Sequence, residues 1–176
     1  MSCSCSQGKP NCKEFFAINN NLNGQSKYKI ENINCRKLRL TYDGKLISII
    51  FNSNIKFGVE DYFGKKLINF EINDKIEKKI KEIESYVFSS LKKFIPHSSI
   101  RINKKNPLLK PLLRTHLKYK KDILKTIIKN DKNNIIKISE IEKTNKLKVH
   151  IYLDNLWVSN NKIGFYWYID VIDKKN

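Results

Sequence analysis

A mainly β (α+β) fold is predicted by three observations. Two pairs of alternating apolar and polar runs are each joined by a turn signal, Asp43-Gly44 in the first half and "VSNNK" near the end. Only the segment 73–94 changes clearly from a period of two to a period of three and four. At 176 residues the chain suits one domain with its own core and is short for two.

Residues 1–34 carry Ser, Gly, Asn, Gln and Cys with little periodicity and read as a largely irregular tail, with a short element around "KEFFAI". The domain is expected over 35–173. In "RKLRLTYDGKLISIIFN", Leu38, Leu40 and Tyr42 alternate, Asp43-Gly44 is the hairpin dipeptide, and "LISIIF" is β-rich, giving two strands. "NIKFGVEDYFGKK" reads as a loop marked by two glycines. A third strand follows in "LINFEI", where Leu67, Asn69 and Glu71 alternate with Ile68, Phe70 and Ile72, leaving one apolar face.

Ile76, Ile80, Ile83, Val87, Leu91 and Phe94 then recur at helical spacing, and Asp74 with Glu77 forms a capping-box pattern, so an amphipathic helix is expected to end before Pro96. From Pro96 to Asn145 the pattern weakens into a basic, partly helical insert, with a second helix expected through Leu117, Leu124, Ile127 and Ile128. Asn106-Pro107 and Lys110-Pro111 break whatever precedes it. The end is a hairpin: Val149, Ile151 and Leu153 form one apolar face, and Ile163, Phe165, Trp167, Ile169 and Val171 form another. Three strands, a helix, an insert and a closing hairpin match the five-stranded OB-fold, a partly open Greek-key barrel with a helix after strand 3. An unrelated α+β sheet is the alternative.

Lys and Arg number 35 against 17 Asp and Glu, a formal net charge of +18, which points to a polyanionic partner, nucleic acid before an anionic membrane surface. Only four of the basic residues are arginine, and the abundance of Lys, Asn and Ile looks like an AT-rich coding sequence. Such bias accounts for Lys in place of Arg but not for acids outnumbered two to one. No apolar run approaches the ~20 residues that span a bilayer, and "MSCSCSQGKPNC" lacks the apolar core of a secretory signal. A cytoplasmic protein without a membrane partner is expected. Cys3, Cys5, Cys12 and Cys35 are too few and too lopsided for a disulfide framework, and their spacing is not a usual zinc pattern.

With the apolar face of the closing strand turned inward, Tyr166 and Tyr168 point outward. Tyr152, His150 and Lys148 lie on the polar face of the preceding strand, with Lys162 at the turn. Tyrosines among lysines suit single-stranded nucleic acid, because rings stack on bases whatever the sequence while lysines neutralise phosphates. The bland alternative is that the insert covers these tyrosines, with their hydroxyls bonded at its rim. Trp157 fits either role. A second candidate is "KFGVEDYFGKK", with Phe57, Tyr62 and Phe63 among Lys56, Lys65 and Lys66, and a third is the basic run around Lys118 and Tyr119.

Three stretches, "NSNIKFGVEDY", "INFEINDKIEKKIKEIESYV" and "VHIYLDNLWVSNNKIGFYWYIDVI", carry a family resemblance. The chain resembles the OB-fold single-stranded DNA-binding proteins of large cytoplasmic DNA viruses and related virus-like selfish elements. The first stretch is similar to that family's Phe-Gly-hydrophobic turn, the second to its strand and acidic-starting helix, and the third to its closing hairpin. The likeness spans Leu38 to Val171. It implies a protein that coats exposed single strands during replication or repair, self-associating along the strand, without catalysis. Phe57, Gly58, Trp157, Gly164 and Trp167 match the family pattern, and the two glycines are expected to serve backbone geometry.

No phosphate-cradling glycine motif, zinc-hydrolase helix or nucleophile elbow appears, and no cofactor is expected. An enzyme would need acids such as Asp43, Glu60, Asp61 or Glu71. A nuclease could pair Asp61 and Glu71 with Lys65 or Lys66 around Mg²⁺. Stacking and charge do not distinguish ribose from deoxyribose, so RNA binding stays open beside single-stranded DNA, as does packaging of nucleic acid by a structural protein.

Overall fold

The computed structural model describes residues 27–62, 64–103, 105–106, 108–143 and 145–175, with the backbone alone at Lys56 and Tyr62. The "KEFFAI" element and Cys3, Cys5 and Cys12 lie outside the described residues, and Cys35 is a half-buried free thiol. Among the described residues a strand lies upstream of the expected boundary, since β1 (Tyr28–Asn34) pairs antiparallel with β2 (Lys37–Tyr42).

From Lys37 on, the strands of the first half lie where the alternation predicts them, with one exception. β2 turns through Asp43 and Gly44, both at positive φ (49° and 74°), into β3 (Lys45–Leu46). β4 (Ser48–Ser53) then leaves that hairpin to pair with a strand near the C-terminus. The exception is the stretch read as a loop, which is β5 (Ile55–Tyr62), hairpinned with β6 (Lys65–Glu71). Its ladder is irregular between Ile55 and Val59, where Gly58 takes φ 25°, so the glycine marks a disturbed strand rather than a loop. In β6 both faces are covered: Leu67, Ile68, Asn69 and Phe70 are all buried.

Helix α1 (Asp74–Ser90) follows β6 as predicted, and Ile76, Ile80, Ile83 and Val87 bury one stripe in the core. Its cap is Asn73, whose Oδ1 accepts the Ile76 N–H at 3.0 Å, rather than an Asp74–Glu77 box.

The second expected helix does not exist. Residues 112–129 instead form β9 (Leu112–Leu117), β10 (Tyr119–Lys120), β11 (Ile123–Leu124) and β12 (Ile127–Lys129). β10 and β11 pair around Lys121 and Asp122, both at positive φ. Thr126 anchors the segment by donating to the Ile169 carbonyl (2.8 Å) and accepting from the Lys118 N–H (3.0 Å). Ile123, Thr126, Ile127 and Ile128 are β-branched, which crowds a helix and suits a sheet. β7 (Ile95–Pro96) and β8 (Ile100–Arg101) begin the same insert.

The C-terminal hairpin of β13 (Lys146–Ser159) and β14 (Lys162–Lys175) is the spine of the fold, turning through Asn160 and Asn161 at φ 48° and 58°. Its register shifts twice. Leu153 faces Trp167 and Asn155 faces Tyr166, leaving Asp154 as an extra residue. Ile151 faces Ile169 and His150 faces Val171, leaving Asp170 extra. Each bulge inverts the alternation beyond it. Ile172, not Val171, completes the buried face begun by Ile163, Phe165, Trp167 and Ile169.

Among the described residues the main sheet runs β1-β2-β13-β14-β9-β6-β5. The expected five-stranded barrel is therefore corrected to a larger mainly β sheet that does not close. β9 enters between β14 and β6, and β1 and β5 stand at its two ends. The inward residues pack with α1 as one core, for example Phe88 edge-on to Phe165 at 5.6 Å. No helix among the described residues is long and apolar enough to cross a membrane.

Candidate nucleic-acid interface

The face of the sheet turned away from that core is built by four adjacent strands. β6 supplies Lys65 and Leu67, β9 supplies Arg114 and His116, β14 supplies Gly164, Tyr166 and Tyr168, and β13 supplies Tyr152 and Trp157. Trp157 has odd parity and would sit with Leu153 in a regular strand. The Asp154 bulge moves it onto the face of Tyr152.

The rings form a continuous row. Tyr152 and Tyr168 are near-parallel with centroids 6.1 Å apart, Tyr168 and Tyr166 are 6.4 Å apart, and Tyr166 and Trp157 are 6.5 Å apart. His97 meets the edge of Trp157 at 5.2 Å. His116 flanks the row from the neighbouring strand β9, 5.0 Å from Tyr166 and 5.7 Å from Tyr168. Two cavities of about 320 Å³ each flank the row and share Lys65 and His116.

Lysines cap the rings. Lys65 Nζ donates to the Tyr166 hydroxyl at 2.6 Å and lies 4.1 Å from that ring's centroid, and Lys118 Nζ lies 5.1 Å from the Tyr152 centroid. Lys66 is engaged elsewhere, paired with Asp61 at 2.6 Å. The Asp61 carboxyl is held below its usual range by that Lys66 hydrogen bond and then by the Gly64 N–H.

His116 is buried, with Nδ1 at 3.3 Å from the Trp167 carbonyl. Burial above all, opposed by the Trp167 carbonyl and aided by the Lys65 ammonium, brings its pKa down to about 4. The ring is neutral at pH 7, so the positive charge on this face comes from Lys65, Arg114 and Lys118 and not from His116. Burial, with the Asp154 carboxylate next in effect, raises the Tyr168 phenol above its ordinary value.

Gly164 has a role other than backbone geometry. A Cβ there would meet three atoms of the Trp157 indole at 2.5–2.8 Å, so the bare glycine is what lets the indole lie against β14. Gly58, at φ 25° with open space around it, does serve backbone geometry.

The structure brings Lys65, Lys118, Tyr152, Trp157, Tyr166 and Tyr168 together, with Lys66 and Tyr119 lining the cavity on the Tyr168 side. Lys148 lies farther along β13 opposite Asp173, and Lys162 stands exposed at the hairpin turn. Phe57 is 49% exposed on β5, the end strand of the sheet. The Tyr62 side chain and Phe63 lie outside the described residues. The insert touches these rings without enclosing them: β9 joins the sheet beside them, His116 lies against Tyr166 and Tyr168, His97 against Trp157 and Lys118 over Tyr152, and Tyr152, Tyr166 and Tyr168 stay half-buried.

Sequence reasoning missed His97, Arg114 and His116. The alternation of Leu113, Thr115 and Leu117 with Arg114, His116 and Lys118 is a strand signal that places these three on one face. The nuclease arrangement does not assemble, because Asp61 sits at the turn end of the β5–β6 hairpin and Glu71 at the other. Lys66, opposite Asp61, is five residues from Glu71, about 17 Å along a strand. Glu60 accepts from Asn69 Nδ2 at 2.9 Å, and Asp43 pairs with Lys27 at 3.8 Å. Among the described residues no group of three His, Cys, Asp or Glu could hold a metal.

Solved structures of similar fold place the architecture. A C-terminal truncation of the single-stranded DNA-binding protein from bacteriophage Enc34 matches with a TM-score of 0.55 at 13% identity, covering 78% of this chain and 88% of that chain. The chain shares that fold. A second structure of the Enc34 protein gives a TM-score of 0.53 at 11% identity, covering 84% and 89%. No protein-family model and no curated protein sequence matches the chain. Both structures are of one phage protein, and the expected kinship with proteins of large cytoplasmic DNA viruses has no matching family model.

Proposed function

We propose that this protein binds single-stranded DNA without regard to sequence and coats exposed strands during replication or repair. The observation that carries the reading is the unbroken row Tyr152, Tyr168, Tyr166 and Trp157 on a sheet face capped by lysines. Bases stack on such rings for about 1–3 kcal/mol each. A base arriving on Tyr166 displaces Lys65 from the ring, giving up about 0.5–1 kcal/mol of cation–π energy at an exposed site. The freed ammonium then meets the phosphate. The fold shared with a phage protein named for binding single-stranded DNA supports the same reading. The Lys, Asn and Ile bias suits an AT-rich viral or plasmid element as its setting.

The test is a fluorescence titration of the whole chain with a dT oligonucleotide, matched RNA and matched duplex. Tyr166→Ala combined with Tyr168→Ala is expected to weaken single-strand binding by about 2–6 kcal/mol while far-UV circular dichroism is retained. A folded double variant that binds as tightly as the parent sinks the proposal. Equal, wholly salt-sensitive binding to all three ligands assigns the affinity to charge and the tyrosines to the fold.

A further inference from the structure

One cavity of about 320 Å³ lies at the Trp157 end of the row, beyond the tyrosine pair, and is bordered by His97, Ser98, Arg114, Trp157, Tyr166 and Lys65. That volume is at the small end of ligand sites, which run from ~300 to 1,000 Å³, so it suits one base rather than a stack. Its platform is the half-buried indole of Trp157, backed by Gly164. Tyr166 borders the indole on one side at 6.5 Å and His97 stands edge-on to it at 5.2 Å on another.

His97 belongs to a short loop held at both ends. The Ile95 N–H donates to the Asn161 carbonyl at 2.7 Å and the His97 N–H to the Ile163 carbonyl at 2.8 Å, fixing the start of the loop to the β13–β14 hairpin. The end of the loop is fixed by Glu84 of α1, which is 4% exposed. Its carboxylate accepts from Ser98 Oγ at 2.6 Å, Ser99 Oγ at 2.6 Å and Ser99 N–H at 2.8 Å. A carboxylate is costly to bury, and Ile80, Ile83 and Val87 already supply the apolar stripe of α1 at that level. What Glu84 adds is a fixed loop, through three charge-assisted hydrogen bonds.

We propose that this cavity is a one-base subsite, and that Glu84 is a positioning residue holding the His97 wall beside the Trp157 platform. The proposal rests on the single-strand reading above. The occupant is a nucleobase of the bound strand, stacked on the indole between Tyr166 and His97, with its phosphate toward Lys65. Helix α1 thereby takes part in recognition from the core side of the sheet.

Two signals separate the subsite from DNA binding in general. Anisotropy of a 5′-fluorescein dT oligonucleotide reads all binding. Tryptophan emission reads the subsite, because Trp167 is fully buried and Trp157 is the other of the two tryptophans. In the parent chain, binding is expected to quench Trp157. Trp157→Ala should lower affinity roughly 5- to 150-fold, the value of one stacked base, with the slope of log K against log salt unchanged because no phosphate contact is lost. Glu84→Gln removes one charged acceptor and should reduce both affinity and the quench amplitude at saturation. If Glu84→Gln does not fold, His97→Ala is expected to reduce the amplitude in the same way.

Binding by anisotropy with unchanged tryptophan emission, and a Trp157→Ala variant as tight as the parent, overturns the subsite and leaves the single-strand reading standing. A Glu84→Gln variant that is less stable yet quenches fully and binds at parental affinity overturns the positioning role. No anisotropy change in the parent removes the single-strand reading and the subsite with it.

Discussion

His116 shows how one residue ties the interface to stability. Its folded pKa of about 4 lies below the ordinary 6.5, so the unfolded chain binds the proton more readily between those values. The stability it contributes is full above pH 6.5 and is lost as pH falls toward 4. The loss attributable to this ring is on the order of 3 kcal/mol, since each pH unit between the two values is worth about 1.4 kcal/mol. His116→Asn keeps a donor near the Trp167 carbonyl and cannot titrate. Urea unfolding at pH 7 and pH 4 should show the parent losing roughly 2–3 kcal/mol more than this variant. Equal losses in both would mean that the ring is already solvated. At the same scale, the outward tyrosines were legible because alternation alone separates Tyr166 and Tyr168 from Phe165 and Trp167. The fit of Trp157 over Gly164 was not, since it joins residues on two strands and depends on the absence of a Cβ.

At the scale of the element, the two hairpin turns and α1 were legible because their signals are local. Asp43-Gly44 and Asn160-Asn161 tolerate positive φ, and the apolar stripe of α1 repeats at about 3.6 residues. The bulges at Asp154 and Asp170 were not, because an extra residue is defined only by the partner strand. Their effect is testable by deletion. Removing Asp154 leaves Leu153 and Leu156 inward and Trp157 outward, so a folded, binding-competent chain is expected. Removing Tyr152 instead turns Leu153 outward and Asp154 inward, and loss of cooperative thermal unfolding is expected. Equal damage from both deletions, followed by circular dichroism, would show that the twist of the bulge matters more than its phase correction. The misread insert belongs here too. Leu117, Leu124, Ile127 and Ile128 fit a helical spacing, yet Ile127 is 40% exposed and Ile128 is buried as alternate residues of a strand.

For the whole molecule, the question is how much of a net charge of +18 works at the interface. Lys65, Lys66, Arg114 and Lys118 lie on or beside the aromatic face. If about three to five phosphates are neutralised there, log K should fall against log salt with a slope of roughly −2 to −3.5, at about −0.7 per phosphate on a single strand. Stacking should leave measurable affinity in high salt. A slope near −12, as ~18 neutralised phosphates would give, would mean that the whole basic surface binds and the aromatic row is incidental.

The sequence by itself determined the mainly β class, the helix after Glu71, the closing hairpin with its inward and outward faces, and the net charge of +18. Each follows from periodicity, turn chemistry or composition, which act over a few residues or over none. The tertiary structure decided that β9 would enter the sheet, that the sheet would stay open, that His97, Gly164 and His116 would gather around Trp157 and Tyr166, and that Glu84 would hold Ser98 and Ser99 beside His97. Those outcomes depend on which strand finds which edge and on the space left between side chains far apart in the chain. Local pattern carries no record of either.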